Sequence, residues 1–315
     1  RSSDLCHWRY RVNGTMGRMR FLDSDAIRSV MTVGAAAHVL RDALRGGLDP
    51  ADDIPRGRAD VPGGQLLWMP STSATYSGVK LLTVGGKPWV QGVYVLFDGA
   101  SLAPEAVLDG AALTDIRTPA VSFAGVLDVL TARRRPNAPL RVALIGSGPQ
   151  AVHHAAGAEE LFGDVEITFV VRSPRDIDCG IPHSVATELP EDADLIVAAT
   201  SAAEPVLDNE RVADHAVVVG MGAHSPDKRE LPGDLMGRAR VIVEDPHVAE
   251  TECGDVMLAV DEGHLEAGDW VSLREVATDG ELARELAQSG VPVVFKTTGM
   301  SWEDLAVAVE VVERS

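Results

Sequence analysis

Cysteine is scarce. Cys6, Cys179 and Cys253 are the three in 315 residues, odd in number and far apart, which argues against a disulfide framework and against a zinc site. Long apolar runs are missing as well. With 45% hydrophobic residues and no stretch able to span a bilayer, the chain reads as soluble and globular. Positive charge is in deficit, with 28 Lys and Arg against 47 Asp and Glu and a net charge of −19. A surface this acidic repels phosphates at long range, so neither nucleic acid nor an anionic membrane is expected as a partner. The Arg-rich opening stretch lacks the continuous apolar core of an export signal, and with so few cysteines a reducing, cytoplasmic location is expected. No repeat, low-complexity segment or metal-ligand spacing stands out.

Residues 1–15 are expected to be a non-native or disordered leader, with Met16 as the natural start. The spacing of apolar residues from Leu22 to Leu44 predicts two amphipathic helices ended by Gly46 and Gly47. Residues 52–64 read as a polar connection marked by Pro and Gly. Strands are predicted over 65–69, 77–84, 90–97 and 106–109, followed by a helix over 114–130. Residues 133–139, three arginines and two prolines among them, are the expected boundary between a first part, 16–132, and a second, 137–299. In the second part, predicted strands at 142–145, 167–171, 195–199, 217–219, 241–244 and 293–294 alternate with helical or loop stretches. That alternation predicts an α/β fold with a Rossmann-type doubly wound parallel sheet, preceded by an α+β domain. A last helix over 302–312 carries Glu303, Asp304 and Glu310 between aliphatic positions.

The most informative stretch runs from Arg141 to His154. An apolar strand ends at Gly146, and Ser147, Gly148, Pro149, Gln150 and Ala151 lead into an Ala-rich helix. In a dinucleotide site the first glycine makes the turn and the second lets backbone approach the pyrophosphate, while a small third residue, here Ala151, allows helix and strand to pack closely. The pyrophosphate then lies on the free N–H groups of the helix start. The alternative is a glycine turn of any α/β protein. At the end of the next strand, where an NAD enzyme carries an acid for the ribose, stand Arg172, Ser173 and Arg175, with no carboxylate before Asp176. That favours NADPH over NADH, the alternative being that Arg172 is a solvated residue after a strand.

In combination, residues 65–70, Gly78 to Lys80, Tyr94 to Asp98, Leu113 to Thr118, Gly146 to Ala151 and Phe295 to Gly299 resemble the ornithine cyclodeaminase and mu-crystallin family. The resemblance runs from about Phe21 to the C-terminus. It implies an N-terminal substrate-binding and dimerisation domain completed by residues 300–315, a Rossmann domain, a homodimer, and NAD(P)(H) chemistry on small α-amino or α-imino acids.

By the same resemblance Arg56, Lys80 and Arg117 hold the substrate carboxylate, a role that suits cations in a dry pocket; the alternative is surface or salt-bridged charge. Lys80, flanked by two arginines, would have its pKa lowered by like charge and could give a proton to the imine nitrogen. Thr200, Ser201, Met221, Lys296 and Gly299 are expected at the cofactor, with strand-end capping as the alternative for Thr200 and Ser201. His153 and His154 read as helix-surface or packing residues. Trp68, Met69 and Trp89 would line the substrate pocket or belong to the core.

One position departs from the family pattern. Where cyclodeaminases carry an Asp after two small residues, this chain has His224, an alternative proton donor or a loop residue packing near the nicotinamide. The departure favours an imine reductase or amino-acid dehydrogenase over an ornithine or lysine cyclodeaminase, a reading that Asp227 keeps open. A non-catalytic NADPH-binding protein is the third alternative, disfavoured by the three cations.

Overall fold

A computed structural model describes residues 8–12 and 15–315, with side chains described from residue 19 onward. In chain order the first elements are β1 (Trp8–Val12), β2 (Thr15–Leu22), α1 (Ser24–Val30), α2 (Val33–Arg45), β3 (Gly57–Val61), β4 (Gly64–Thr72), β5 (Tyr76–Val84), β6 (Val90–Asp98), β7 (Pro104–Asp109) and α3 (Gly110–Arg133). Then come β8 (Leu140–Ile145), α4 (Pro149–Phe162), β9 (Val165–Val170), β10 (His183–Ala186), β11 (Leu195–Ala198), β12 (Val217–Gly220), α5 (Gly233–Arg238) and β13 (Arg240–Val243). The last are α6 (Pro246–Thr251), α7 (Gly254–Asp261), β14 (Val271–Ser272), α8 (Leu273–Thr278), α9 (Gly280–Ala287), β15 (Val293–Lys296) and α10 (Ser301–Arg314).

Two compact units divide the chain. One comprises Arg1–Leu40, Asp52–Arg117 and Met300–Ser315; the other comprises Arg41–Ala51 and Thr118–Gly299. The chain therefore leaves the first unit inside α3, and not at the Arg- and Pro-marked stretch 133–139. The reason is local: α3 runs unbroken past the division, and Arg133 at its end is tied into the second unit, donating to the carbonyls of Ala287, Leu286, Val291 and Ala216.

In the first unit seven strands form one sheet, in the order β1-β2-β7-β6-β5-β4-β3 among the described residues. The meander from β3 to β7 is antiparallel, and β2 joins β7 in parallel. Alternation along β5 sets the two faces: Gly78, Lys80 and Leu82 are buried, while Leu81 and Thr83 are exposed. Helix α10 packs on the buried face against β4, β5 and β6. Two expectations change here. Residues 8–12, placed in the leader, form a strand paired with β2, while residues 1–7 and 13–14 lie outside the described residues. Part of the polar connection 52–64 is β3, a mostly exposed edge strand whose polar composition hid it.

The second unit is a parallel sheet of eight strands among the described residues, ordered β10-β9-β8-β11-β12-β15-β13-β14. This is the expected doubly wound α/β fold, with the strand order reversing between β8 and β11. Its core is aliphatic, built on Ile145, Ile196, Val218, Val243 and Val294. The short edge strands β10 and β14 are additions to the sequence reading.

Candidate functional site

In the second unit the β8–α4 turn has the shape a pyrophosphate requires. Gly146 has φ +119°, and a Cβ there would meet the Ala199 carbonyl oxygen at 2.6 Å, so only glycine lets β8 turn this close to the end of β11. Gly148 is the N-cap of α4, Pro149 begins the helix, and no side chain caps this end among the described residues. A Cβ added at Gly148 meets no described atom within 4 Å, leaving the backbone open to an approaching anion. The residues present thus fit a dinucleotide phosphate. Downstream, β9 ends at Val170, and Arg172, Ser173 and Arg175 follow it as exposed loop residues.

In the first unit, Lys80 on β5 and Arg117 on α3 are both buried, at 0% and 7% exposure. Each has a carboxylate from the start of α10. Lys80 Nζ donates to Asp304 Oδ2 at 2.6 Å; Arg117 Nη1 donates to Glu303 Oε2 at 2.9 Å, and its Nε lies 3.3 Å from Asp304 Oδ1. Glu303 also closes the helix start, accepting from Met300 N at 2.8 Å. Burial first, and then the Arg117 guanidinium, lower the Lys80 pKa to about 8, while Asp304 pulls it up. The direction matches the sequence reading, but burial outranks like charge as its cause.

Neighbouring groups complete the cluster. Lys80 is paired across the sheet with Met69 on one side and Tyr94 on the other, so the three share a face, and Tyr94 is fully buried. Asp53 accepts from Ser71 Oγ and from Trp302 N, each at 2.9 Å, tying the segment before β3 to α10. Burial raises the Asp53 pKa against those hydrogen bonds. Arg56, half-buried, stands just before β3, whose Gly57 is paired with Trp68. Two strand spacings, roughly 10 Å, separate β3 from β5.

Several expected residues lie elsewhere. Trp68, next to Met69, points to the opposite face from Lys80 and is 39% exposed, and Trp89 is 65% exposed; neither lines a pocket with Lys80. Lys296 is the last residue of β15. Its side chain is fully buried, 3.1 Å from Asp255 Oδ2 and donating to the carbonyls of Ala223 at 2.6 Å and Gly220 at 3.3 Å. Burial disfavours its ammonium, but Asp255, Cys253 and Glu230 hold the pKa above the usual lysine value. It ties the loop after β12 to α7. Gly299, with φ +76°, and Thr298 donate backbone N–H groups to Glu244, which also accepts from the Thr297 hydroxyl.

Thr200 follows β11, half-buried, and Ser201 beside it is exposed; Met221 follows β12. His224 is exposed on the loop after β12, its Nδ1 3.2 Å from the Gly222 carbonyl, and Asp227 is exposed three residues on. His154 is a packing residue as expected, fully buried and hydrogen-bonded to the Gln150 carbonyl at 2.7 Å and Ser122 Oγ at 2.9 Å.

The sequence reading missed the anions. Glu303 and Asp304 stood out only as charges inside an apolar helix, which is the available signal, because such charges require partners. Glu230 and Asp255 gave none, and Glu244 only its place at the end of β13.

Comparison with known proteins identifies the family. The model of the Ornithine cyclodeaminase/mu-crystallin family matches residues 21–315, the family that the motifs had pointed to. The chain is 30% identical over 262 residues to Delta(1)-pyrroline-2-carboxylate reductase 2 of Burkholderia ambifaria, covering 78% of each protein. It is 31% identical to ketimine reductase mu-crystallin of Rattus norvegicus, covering 78% of this chain and 79% of that one. Among solved structures, a probable ornithine cyclodeaminase from Bordetella pertussis Tohama I superposes with a TM-score of 0.79 at 28% identity, over 94% of this chain and 96% of that one.

Proposed function

We propose that this chain, which belongs to the ornithine cyclodeaminase/mu-crystallin family, is an NAD(P)H-dependent oxidoreductase acting at the α-carbon of a small imino or amino acid. The observation that carries this reading is the buried pair of cations, Lys80 and Arg117, in a chain that also has the open β8–α4 turn. A binding protein needs the turn alone.

A nicotinamide dinucleotide, when bound, supplies hydride for the substrate carbon. Gly146 to Ala151 hold its pyrophosphate, and Arg172 with Ser173 receive a 2′-phosphate, which makes NADPH the preferred form. Lys80 and Arg117, joined by Arg56, hold the substrate carboxylate. Lys80 Nζ carries the proton that the imine nitrogen takes up, so that a C–H and an N–H bond replace the π bond of C=N. Asp304 keeps that ammonium in place. His224 stands as the second candidate for proton delivery.

The protein acts as a homodimer in this reading. The sheet face of the first unit opposite Lys80 carries Phe21, Val61, Trp68 and Leu81, each more than a third exposed. A contiguous apolar sheet face of this kind is a surface for a second copy.

The deciding experiment follows cofactor and ammonia together. Purified protein is given cyclic ketimine acids with NADPH or NADH and, separately, ornithine or lysine. Net cofactor oxidation with the ketimines, retained in His224→Ala and lost in Lys80→Met, is expected. Ammonia release from the diamino acids at constant cofactor would instead establish a cyclodeaminase.

A further inference from the structure

Glu230 is fully buried, and its carboxylate joins the ends of two neighbouring strands of the parallel sheet. Oε1 accepts from Thr200 N at 2.8 Å and from Thr200 Oγ1 at 2.6 Å, just past β11, and Oε2 accepts from Gly222 N at 2.5 Å, just past β12. The join is close. A Cβ at Gly222 would lie 1.9 Å from the Thr200 carbonyl oxygen and 2.7 Å from Glu230 Oε1, so the two strand ends meet only through glycine.

Glu230 is itself held from behind. Its N–H and that of Leu231 donate to Asp255 Oδ1 at 2.7 and 2.8 Å, and Asp255 pairs with Lys296, which in turn binds the Ala223 and Gly220 carbonyls. Two carboxylates and one ammonium are thus buried together beneath a single loop. Burying ionisable groups is unfavourable, and burial accordingly raises the Glu230 pKa; an aliphatic plug would fill the same volume without that penalty.

The position of the clamp supplies the reason. In a doubly wound sheet the ligand crosses the carboxyl ends of the strands where their order reverses, here between β8 and β11. The adenosine half of a bound dinucleotide would lie on the β9 side, where Arg172 stands. The other half would lie on the β11 and β12 side, where Thr200 and Gly222 stand. We propose that Glu230 is a positioning residue for the nicotinamide half of the dinucleotide, fixing the β11 and β12 ends as one rigid support. The proposal rests on the dinucleotide reading above.

Glu230→Gln tests it at nearly constant volume, because the amide sets a donor against the N–H of Thr200 or of Gly222. Calorimetric titrations compare the better bound of NADPH and NADH with its counterpart lacking the nicotinamide ring, ADP-ribose 2′-phosphate or ADP-ribose. The expected result is at least a tenfold loss of affinity for the complete dinucleotide with less than a twofold change for the ring-free ligand. Equal losses for both ligands, or no loss for either, overturn the proposal. If Glu230→Gln does not fold, Thr200→Val removes one of the three contacts, and the same two titrations are read with the same criteria. A wild-type chain that binds neither ligand overturns the dinucleotide reading itself, and with it this one.

Discussion

Lys80 Nζ lies 2.6 Å from Asp304 Oδ2, with both side chains wholly removed from solvent. In the proposed reading Lys80 is the acid and Asp304 its anchor. With a pKa lowered to about 8, Lys80 is charged below that pH and loses its proton above it, so kcat/KM for imine reduction is expected to fall about tenfold per unit as pH rises beyond 8. Asp304→Asn removes a group that raises this pKa; the falling limb moves to lower pH, and stability in urea drops by about 3–5 kcal/mol, as for a buried pair that loses one member. A limb that stays in place, with a stability change below about 1 kcal/mol, would show that the pair is incidental.

Arg172 tests cofactor choice. Exposed after β9, it has the freedom to meet a 2′-phosphate, and Arg172→Glu replaces attraction by repulsion. Affinity for NADPH is expected to fall at least tenfold, and NADH binding to change little. Equal effects on the two cofactors in fluorescence titrations would remove Arg172 from the phosphate site.

His154 makes the second unit sensitive to acid. Burial lowers its pKa from 6.5 to about 4, so between those values the unfolded chain takes up a proton that the folded chain refuses. Stability therefore declines as pH falls from 6.5 towards 4, by on the order of 3 kcal/mol from this group. His154→Gln flattens the decline. The check is the urea midpoint at pH 7 and pH 4.5 in both proteins; parallel declines would refute it.

Leu81, 39% exposed on the outer sheet face beside Trp68, tests association. Leu81→Asp places a charge in that apolar patch and leaves the Lys80 side untouched, because adjacent strand residues face opposite ways. Light scattering is expected to show a dimer for the wild type and a monomer for the variant. A dimer in both would move the interface elsewhere.

Much of the second unit was legible because its signals are local. A strand, a glycine turn and a helix follow one another within residues 140–162, and Gly146 and Gly148 have few other uses in that setting. Lys80 and Arg117 were legible as cations among apolar neighbours. Their partners were not, because Glu303 and Asp304 lie 186 and 224 residues further along in those contacts and nothing local couples them. The partner of Lys296 was hidden for a related reason. The end of a parallel strand is a good place for ligand contacts, but sequence does not tell whether a side chain there turns outward or, as this one does, back towards Asp255. The edge strands β3, β10 and β14 are short or polar, so their pairing is set by the sheet and not by their own pattern.

The distance along the chain between Lys80 and Asp304 also orders events at the ribosome. At roughly 5–20 residues per second, synthesis takes on the order of ten seconds or more to travel from one to the other. Until α10 emerges, β4, β5 and β6 lack their cover, and Lys80 on β5 and Arg117 on α3 have no counter-charge from this helix. The first unit to begin is therefore among the last parts to be finished. A stalled or truncated chain would display that uncovered sheet to chaperones and proteases, even where the second unit had already formed.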